Sequence, residues 1–189
     1  AWPKQHLRKG IPTHLAAVLA NGEVRFFIDG IHAASAKYPP KSQITKKSFS
    51  IGGAGYAGLI SEVRVSRVAR YDKDFKPQKR FEPDADTLAL YHFDEGQGDV
   101  LKDSSGNGHH GKIVGAKWVK ADGTPITAPA APAHFALRFD GKTSYVDIPT
   151  LSHDEDGPLT IEAFVEADGG PKGGILVRLE GKYPCQLYG

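Results

Sequence analysis

The chain has 189 residues, 40% of them hydrophobic, with 22 Gly, 13 Pro, a single Cys and a formal net charge of +2. That length suits one domain, or one with part of another, and the Gly and Pro content favours a many-turned β-protein over a helical bundle. Lys and Arg gather only in short clusters such as Lys46-Lys47 and Gln78-Lys79-Arg80, which excludes the concentrated basic stripe of a nucleic-acid binder. The lone Cys185 excludes an internal disulfide. The absence of any run of about 18 apolar residues excludes a spanning helix, so membrane insertion is not expected. The chain opens at Ala1 and contains no Met, which reads as a piece of something longer.

In chain order, short apolar runs alternate with Gly, Pro, Asp and Asn punctuation. Residues 14–19 predict a strand, and Asn21-Gly22 predicts a tight hairpin turn that needs positive φ. The next strand, 23–28, places Val24, Phe26 and Ile28 on one face, and Asp29-Gly30 ends it. A strand at 48–51 leads into Gly52-Gly53-Ala54-Gly55. Over 58–65 the alternation sets Ile60, Glu62 and Arg64 against Leu59, Ser61, Val63 and Val65. Residues 72–87, charged and holding Pro77 and Pro83, read as an extended connector. Further strands are predicted at 88–93, 111–119, 135–139, 144–148, 159–166 and 174–179. The Pro/Ala stretch 128–133 reads as a surface loop or spacer. The fold class is all-β, a two-sheet antiparallel sandwich.

Several of these segments resemble one family. His92-Phe93-Asp94-Glu95-Gly96-Gln97-Gly98, then Asp103-Ser104-Ser105-Gly106-Asn107-Gly108, is similar to the opening of LamG-like (concanavalin A-like lectin/glucanase) jelly rolls. Ala136 to Gly141 with Tyr145-Val146, and Leu159 to Val165, continue the likeness. Residues 14–30, Ile51-Gly52-Gly53 and Gly58 to Val65 with Val68 to Tyr71 resemble the closing half of the same family. Where that family's closing strand commonly carries Asp, this chain has Ser61, and it has Ile11-Pro12-Thr13 where an aromatic is usual. The closing half (1–71) therefore precedes the opening half (88–189), joined by 72–87. Either the chain spans the seam of two truncated domains, or the halves complete one sandwich, circularly permuted or by strand exchange in a dimer. The oligomeric state is left open.

The resemblance implies a structural Ca²⁺ where first and last strands meet, with Asp94, Asp140, the Gly141 carbonyl and Glu62 as candidate ligands. It implies a setting outside the cell, at its surface or in the periplasm. For sugar stacking the candidate platforms are Tyr56, Tyr38 and Tyr183, with Trp118 read rather as a strand residue. Asp103 to Gly108 reads as a turn closed by Asp and Asn side chains, and adjacent His109-His110 are unsuited to chelating one ion. Glucanases of the superfamily use paired carboxylates on one strand face. Glu162 and Glu166 share parity with Phe164, which reads as core, and no other pair is spaced properly, so catalysis is not expected. The resulting expectation is a non-catalytic recognition or adhesion module of a larger exported protein, with a polysaccharide or an extracellular protein as partner. The alternatives are a carbohydrate-binding module and a degenerate glycoside hydrolase-like domain.

Overall fold

The computed structural model describes residues 7–37, 49–127, 134–153 and 157–169, and the backbone of 175–179 and 185–188. Tyr38, Tyr183, the 128–133 stretch and the Cys185 side chain lie outside the described residues. Fourteen strands and no helix are found among them. They are β1 (Thr13–Ala20), β2 (Glu23–Ile28), β3 (Ile31–Lys37), β4 (Phe49–Gly52), β5 (Ala57–Ser66), β6 (Thr87–Tyr91) and β7 (Val100–Leu101). β8 (Gly111–Val114), β9 (Lys117–Lys120), β10 (Phe135–Asp140), β11 (Tyr145–Ile148), β12 (Leu159–Ala167), β13 (Ile175–Leu179) and β14 (Cys185–Tyr188) follow.

One sheet runs β3-β2-β1-β12-β5-β10-β9, with β6 also paired to β5; the other runs β14-β13-β4-β11-β8-β7. All named pairings are antiparallel, as an all-β sandwich requires. Both sheets mix strands from before residue 67 with strands from after residue 86. β12 lies between β1 and β5, and β4 lies between β13 and β11.

The inward faces share one core. Leu15, Phe26, Ile60, Val63, Leu137, Phe139 and Ile161 of the larger sheet pack with Phe49, Ile51, Ile113, Val146 and Ile148 of the smaller. The β1–β2 hairpin follows its sequence signals closely. Asn21 and Gly22 take φ of 52° and 72°, and Val24 and Phe26 point to the core. The stretch expected as one strand at 111–119 is instead two strands in different sheets. Between them Gly115 turns the chain with φ of 72°, a value that favours glycine.

The second departure lies in β5. Phe164 faces Glu62 across the β12–β5 ladder, and the next residue, Val165, faces Ile60. Ser61 is therefore the extra residue of a β-bulge, which reverses the alternation at that point. Ile60 joins Val63 and Val65 in the core rather than sharing a face with Glu62 and Arg64 as simple alternation predicts. Glu62, Arg64 and Leu59 are left on the outer face of the larger sheet, Leu59 against Val119 and Ala136.

Much of that outer face is covered. The connector has no strand before Thr87, yet it crosses the sheet as a third layer. Tyr71 and Phe75, stacked with ring centroids 3.4 Å apart, cover Ala16, Val18 and Phe27. Phe81 is fully buried and stacks on Phe164 at 5.2 Å. The connector passes so close to the β2–β3 turn that Phe75 N–H donates to the Gly30 carbonyl at 2.9 Å. A Cβ on Gly30 would lie 2.0 Å from the Phe75 oxygen. Only glycine fits there.

Candidate functional site

Two places on the outer face hold the polar side chains, one beneath the connector and one beside it. Beneath it, β1, β12 and β5 bring His14, Glu162 and Arg64 together, each nearly or wholly inaccessible (2%, 0% and 3% exposed). Arg64 donates to Glu162 Oε1 from Nε at 2.8 Å and contacts it from Nη2 at 2.7 Å. The other oxygen, Oε2, accepts from the Tyr71 hydroxyl at 2.9 Å and meets His14 Nε2 at 3.2 Å. An ionised carboxylate only accepts, so Nε2 carries the hydrogen of that contact. Burial pushes the Glu162 carboxyl up, but the His14 hydrogen bond and the Arg64 charge outweigh it, and the carboxyl ends below its ordinary value. Burial, followed by the Glu162 charge, pushes the Tyr71 phenol well above its ordinary value. Phe75, Phe81 and Phe164 surround the His14 ring at 5.7, 5.8 and 5.1 Å, and the Arg64 guanidinium sits 4.7 Å over Phe81. The cluster is a closed ionic knot with no solvent face.

Glu162, Phe164 and Glu166 thus share the outer face of β12. Phe164 is packed under the connector rather than in the core between the sheets. The apolar character of this residue marks a covered position correctly but not which side of the sheet it faces.

Beside the connector the outer face stays open as a cleft of about 270 Å³. Leu59, Ser61 and Glu62 of β5, Phe164 and Glu166 of β12, Phe135 and His134 at β10, His92, and Lys79 and Arg80 of the connector line it. Phe135 and Phe164 are half-buried, so each ring keeps an accessible part. The Glu62 wall is built: its Oε1 accepts from Phe81 N–H at 3.1 Å and meets His92 Nδ1 at 2.7 Å. Arg80 pairs with Asp94 at 2.5 Å. Among the described residues, the side chains of Ser61, Lys79, His134 and Glu166 make no hydrogen bond or ion pair. The bulge puts Ser61 at this cleft. Nothing in the local pattern signals that, and His134, Lys79 and Glu166 are too far apart in sequence to suggest a common site.

The residues expected to hold calcium do not come together. Asp140 is committed to its own turn, accepting from the N–H groups of Lys142, Thr143 and Ser144. Those hydrogen bonds hold its carboxyl well below the usual range. The Gly141 carbonyl accepts from Gly55 N–H at 2.8 Å. Asp140 pairs with Ala57 at the start of β5, whereas Glu62 lies five positions on, roughly 16 Å at about 3.3 Å per residue. Glu62 and Asp94 have the partners given above. Among the described residues, no group of three or more His, Cys, Asp or Glu side chains is placed to hold a metal ion. Asp94, Asp140, Gly141 and Glu62 as placed do not fit a calcium site.

Tyr56 does not offer a sugar platform either. It is 2% exposed, its ring lies against Phe139, and its hydroxyl donates to the Leu59 carbonyl at 2.7 Å. Its place in the glycine-rich loop suggests exposure, but the loop folds the ring into the core. Trp118 donates from Nε1 to the Gly98 carbonyl at 2.8 Å and packs edge-on to Phe93. Asp103 closes its turn as expected, accepting from Leu90, Ser105 and His109 N–H groups, while Asn107 donates to the Thr87 and Leu88 carbonyls. His109 and His110 make separate contacts, with Thr150 and with Asp103 N–H.

No helix among the described residues is long and apolar enough to cross a membrane. Comparison with curated proteins and with solved structures gives no match. Residues 4–74 match the model of the Laminin_G_3 family, described as the concanavalin A-like lectin/glucanases superfamily. Over those residues the chain is similar to that superfamily, and the two-sheet antiparallel sandwich built around them is consistent with its jelly-roll fold.

Proposed function

We propose that this chain is a non-catalytic recognition module that holds a carbohydrate in the cleft beside the connector, as an adhesive part of a larger exported protein. The observation that carries this reading is the composition of the cleft. Two half-buried rings, Phe135 and Phe164, lie beside hydrogen-bonding side chains that have no partner among the described residues: Ser61, His134, Lys79 and Glu166. Sugars present an apolar face to rings and hydroxyls to polar groups, so such a mixture suits them. At about 270 Å³, the space is just below the roughly 300–1,000 Å³ of typical small-molecule sites. It has room for a chain end rather than for a long polymer.

The absence of turnover is supported by Glu162. Retaining and inverting glycosidases need a carboxylic acid that can give up a proton to the leaving oxygen. Glu162 is fully buried and held ionised by Arg64 and His14, so it has neither the proton nor the access. We also infer that residues 13–66 and 87–188 form one domain, since neither has a complete sheet without the other.

Titration of the chain with a panel of oligosaccharides, followed by backbone NMR shifts, tests the ligand reading. The expected result is saturable shifts at Ser61, His134 and Glu166. Glu166→Gln and His134→Ala should weaken them at least fivefold with the melting temperature unchanged. Shifts confined to other surfaces, or none with any glycan, would overturn the cleft. Release of reducing sugar would overturn the claim of no turnover.

A further inference from the structure

We propose that the Glu162–Arg64–His14 cluster is a pairing lock by which the strands after residue 86 recognise those before residue 67. The partner it fits, besides the half on the same chain, is the matching half of a second copy. The observation is where the members come from. His14 and Arg64 are supplied by β1 and β5, and Glu162 by β12, which inserts between them. Glu162 stands directly opposite Arg64 on one side and Ala16 on the other. Slipping β12 by one residue would turn Glu162 into the inter-sheet core, leaving Arg64 without a counter-charge and His14 Nε2 without its acceptor. The slip would also turn Ile161, Ala163 and Val165 out of the core. The buried carboxylate adds to that apolar penalty the loss of its own partners.

The same lock has no means of telling which copy supplies β12. Every inter-half ladder (β1–β12, β12–β5, β5–β10, β5–β6, β13–β4 and β4–β11) re-forms identically if the second half arrives from another molecule. Such exchange of identical elements gives dimers without any new surface. The connector favours pairing within one chain, because Phe75 N–H is tied to Gly30 and the Tyr71 hydroxyl to Glu162.

Complementary charge reversal in the full chain tests this. Arg64→Glu puts two carboxylates in the lock, and Glu162→Arg puts two guanidiniums there, so each variant alone should melt well below wild type. Refolded together in equal amounts, they should form a dimer of twice the 20.4 kDa chain mass. In it one lock is native and the other reversed, and the melting temperature recovers. The double variant R64E/E162R should recover as a monomer. A mixture that behaves as the sum of its parts, while the double variant folds, would overturn exchange. Single variants as stable as wild type would overturn the lock. Should none of these reversals fold, the milder Arg64→Gln and Glu162→Gln carry the test. Non-additive losses in melting temperature support the lock, and additive losses overturn it.

Discussion

Arg64 and Glu162 face each other directly across the β12–β5 ladder, and the guanidinium places both Nε and Nη2 on the same carboxylate oxygen. Removing one member leaves the other buried without a counter-charge. Glu162→Ala should therefore lower the unfolding free energy by about 3–5 kcal/mol, read as an earlier urea midpoint at unchanged slope. Replacing both residues with Met should cost less than either single loss, because no orphan charge remains. A double replacement as damaging as the sum of the two would contradict this.

The same cluster sets a pH dependence with two limbs. Glu162 is lowered in the fold from an ordinary value of 4.5, so the folded chain binds its proton less readily than the unfolded chain. Its contribution is fully present above that ordinary value and is lost as pH falls through the folded one. Tyr71 is raised from 10.0, so its contribution is present below pH 10 and is lost as pH rises above it. Chemical denaturation across pH should show a flatter acid limb in Glu162→Gln and a flatter alkaline limb in Tyr71→Phe. Limbs parallel to wild type would show that these groups do not carry the dependence.

The connector is predicted to be a structural layer rather than a tether. Phe81 is fully buried and touches Phe164, His14 and Arg64, so Phe81→Ala should cost about 3–5 kcal/mol. Gly30→Ala adds a clash with the Phe75 carbonyl at 2.0 Å to a φ of 77°. The backbone conformation alone makes it lose roughly 1–2 kcal/mol. Urea titrations that moved by less than half of either figure would return the segment to the status of a linker.

Cleavage within the connector should leave the protein whole. Lys73 and Lys79 are exposed and neither precedes a proline, and trypsin acting there should give two fragments that co-elute on gel filtration until denaturant is added. Fragments that separate in buffer and keep separate cooperative melts would mean two independent units.

Much of the strand pattern was legible in the sequence because one-sided burial writes a period of two into β2, where Val24 and Phe26 alternate with Glu23 and Arg25. The turn at Asn21-Gly22 was equally plain, since few residues take its positive φ. Other features leave no such mark. A bulge adds one residue and no composition change, so Ser61 passes for part of a regular strand. The edge strand β3 is rich in Ala33, Ala34 and Ala36, and lacks both β-branched residues and alternation over most of its length. The third layer is the largest omission. Tyr71, Phe75 and Phe81 sit among charges with no periodicity, and their effect is to bury a face that would otherwise be polar. Covered from both sides, the larger sheet makes Phe164 look like core and hides the purpose of Glu162. The cleft was missed because its members meet only after both bulge and connector are in place.

The insertion of β12 between β1 and β5 has a consequence for biosynthesis. His14 waits for Glu162, 148 positions later, and at about 5–20 residues per second the ribosome needs roughly 7–30 s to deliver it. Through that interval β1 and β5 have no neighbour at the place each will share with β12, and β4 has neither of its own. Open strand edges of this kind recruit other chains. The nascent protein is therefore exposed for longest while its first five strands are made and their complement is not. Slow synthesis, which helps many domains fold piece by piece, should here lengthen the hazardous stage, and holdase chaperones should raise the soluble yield most when translation is slowed.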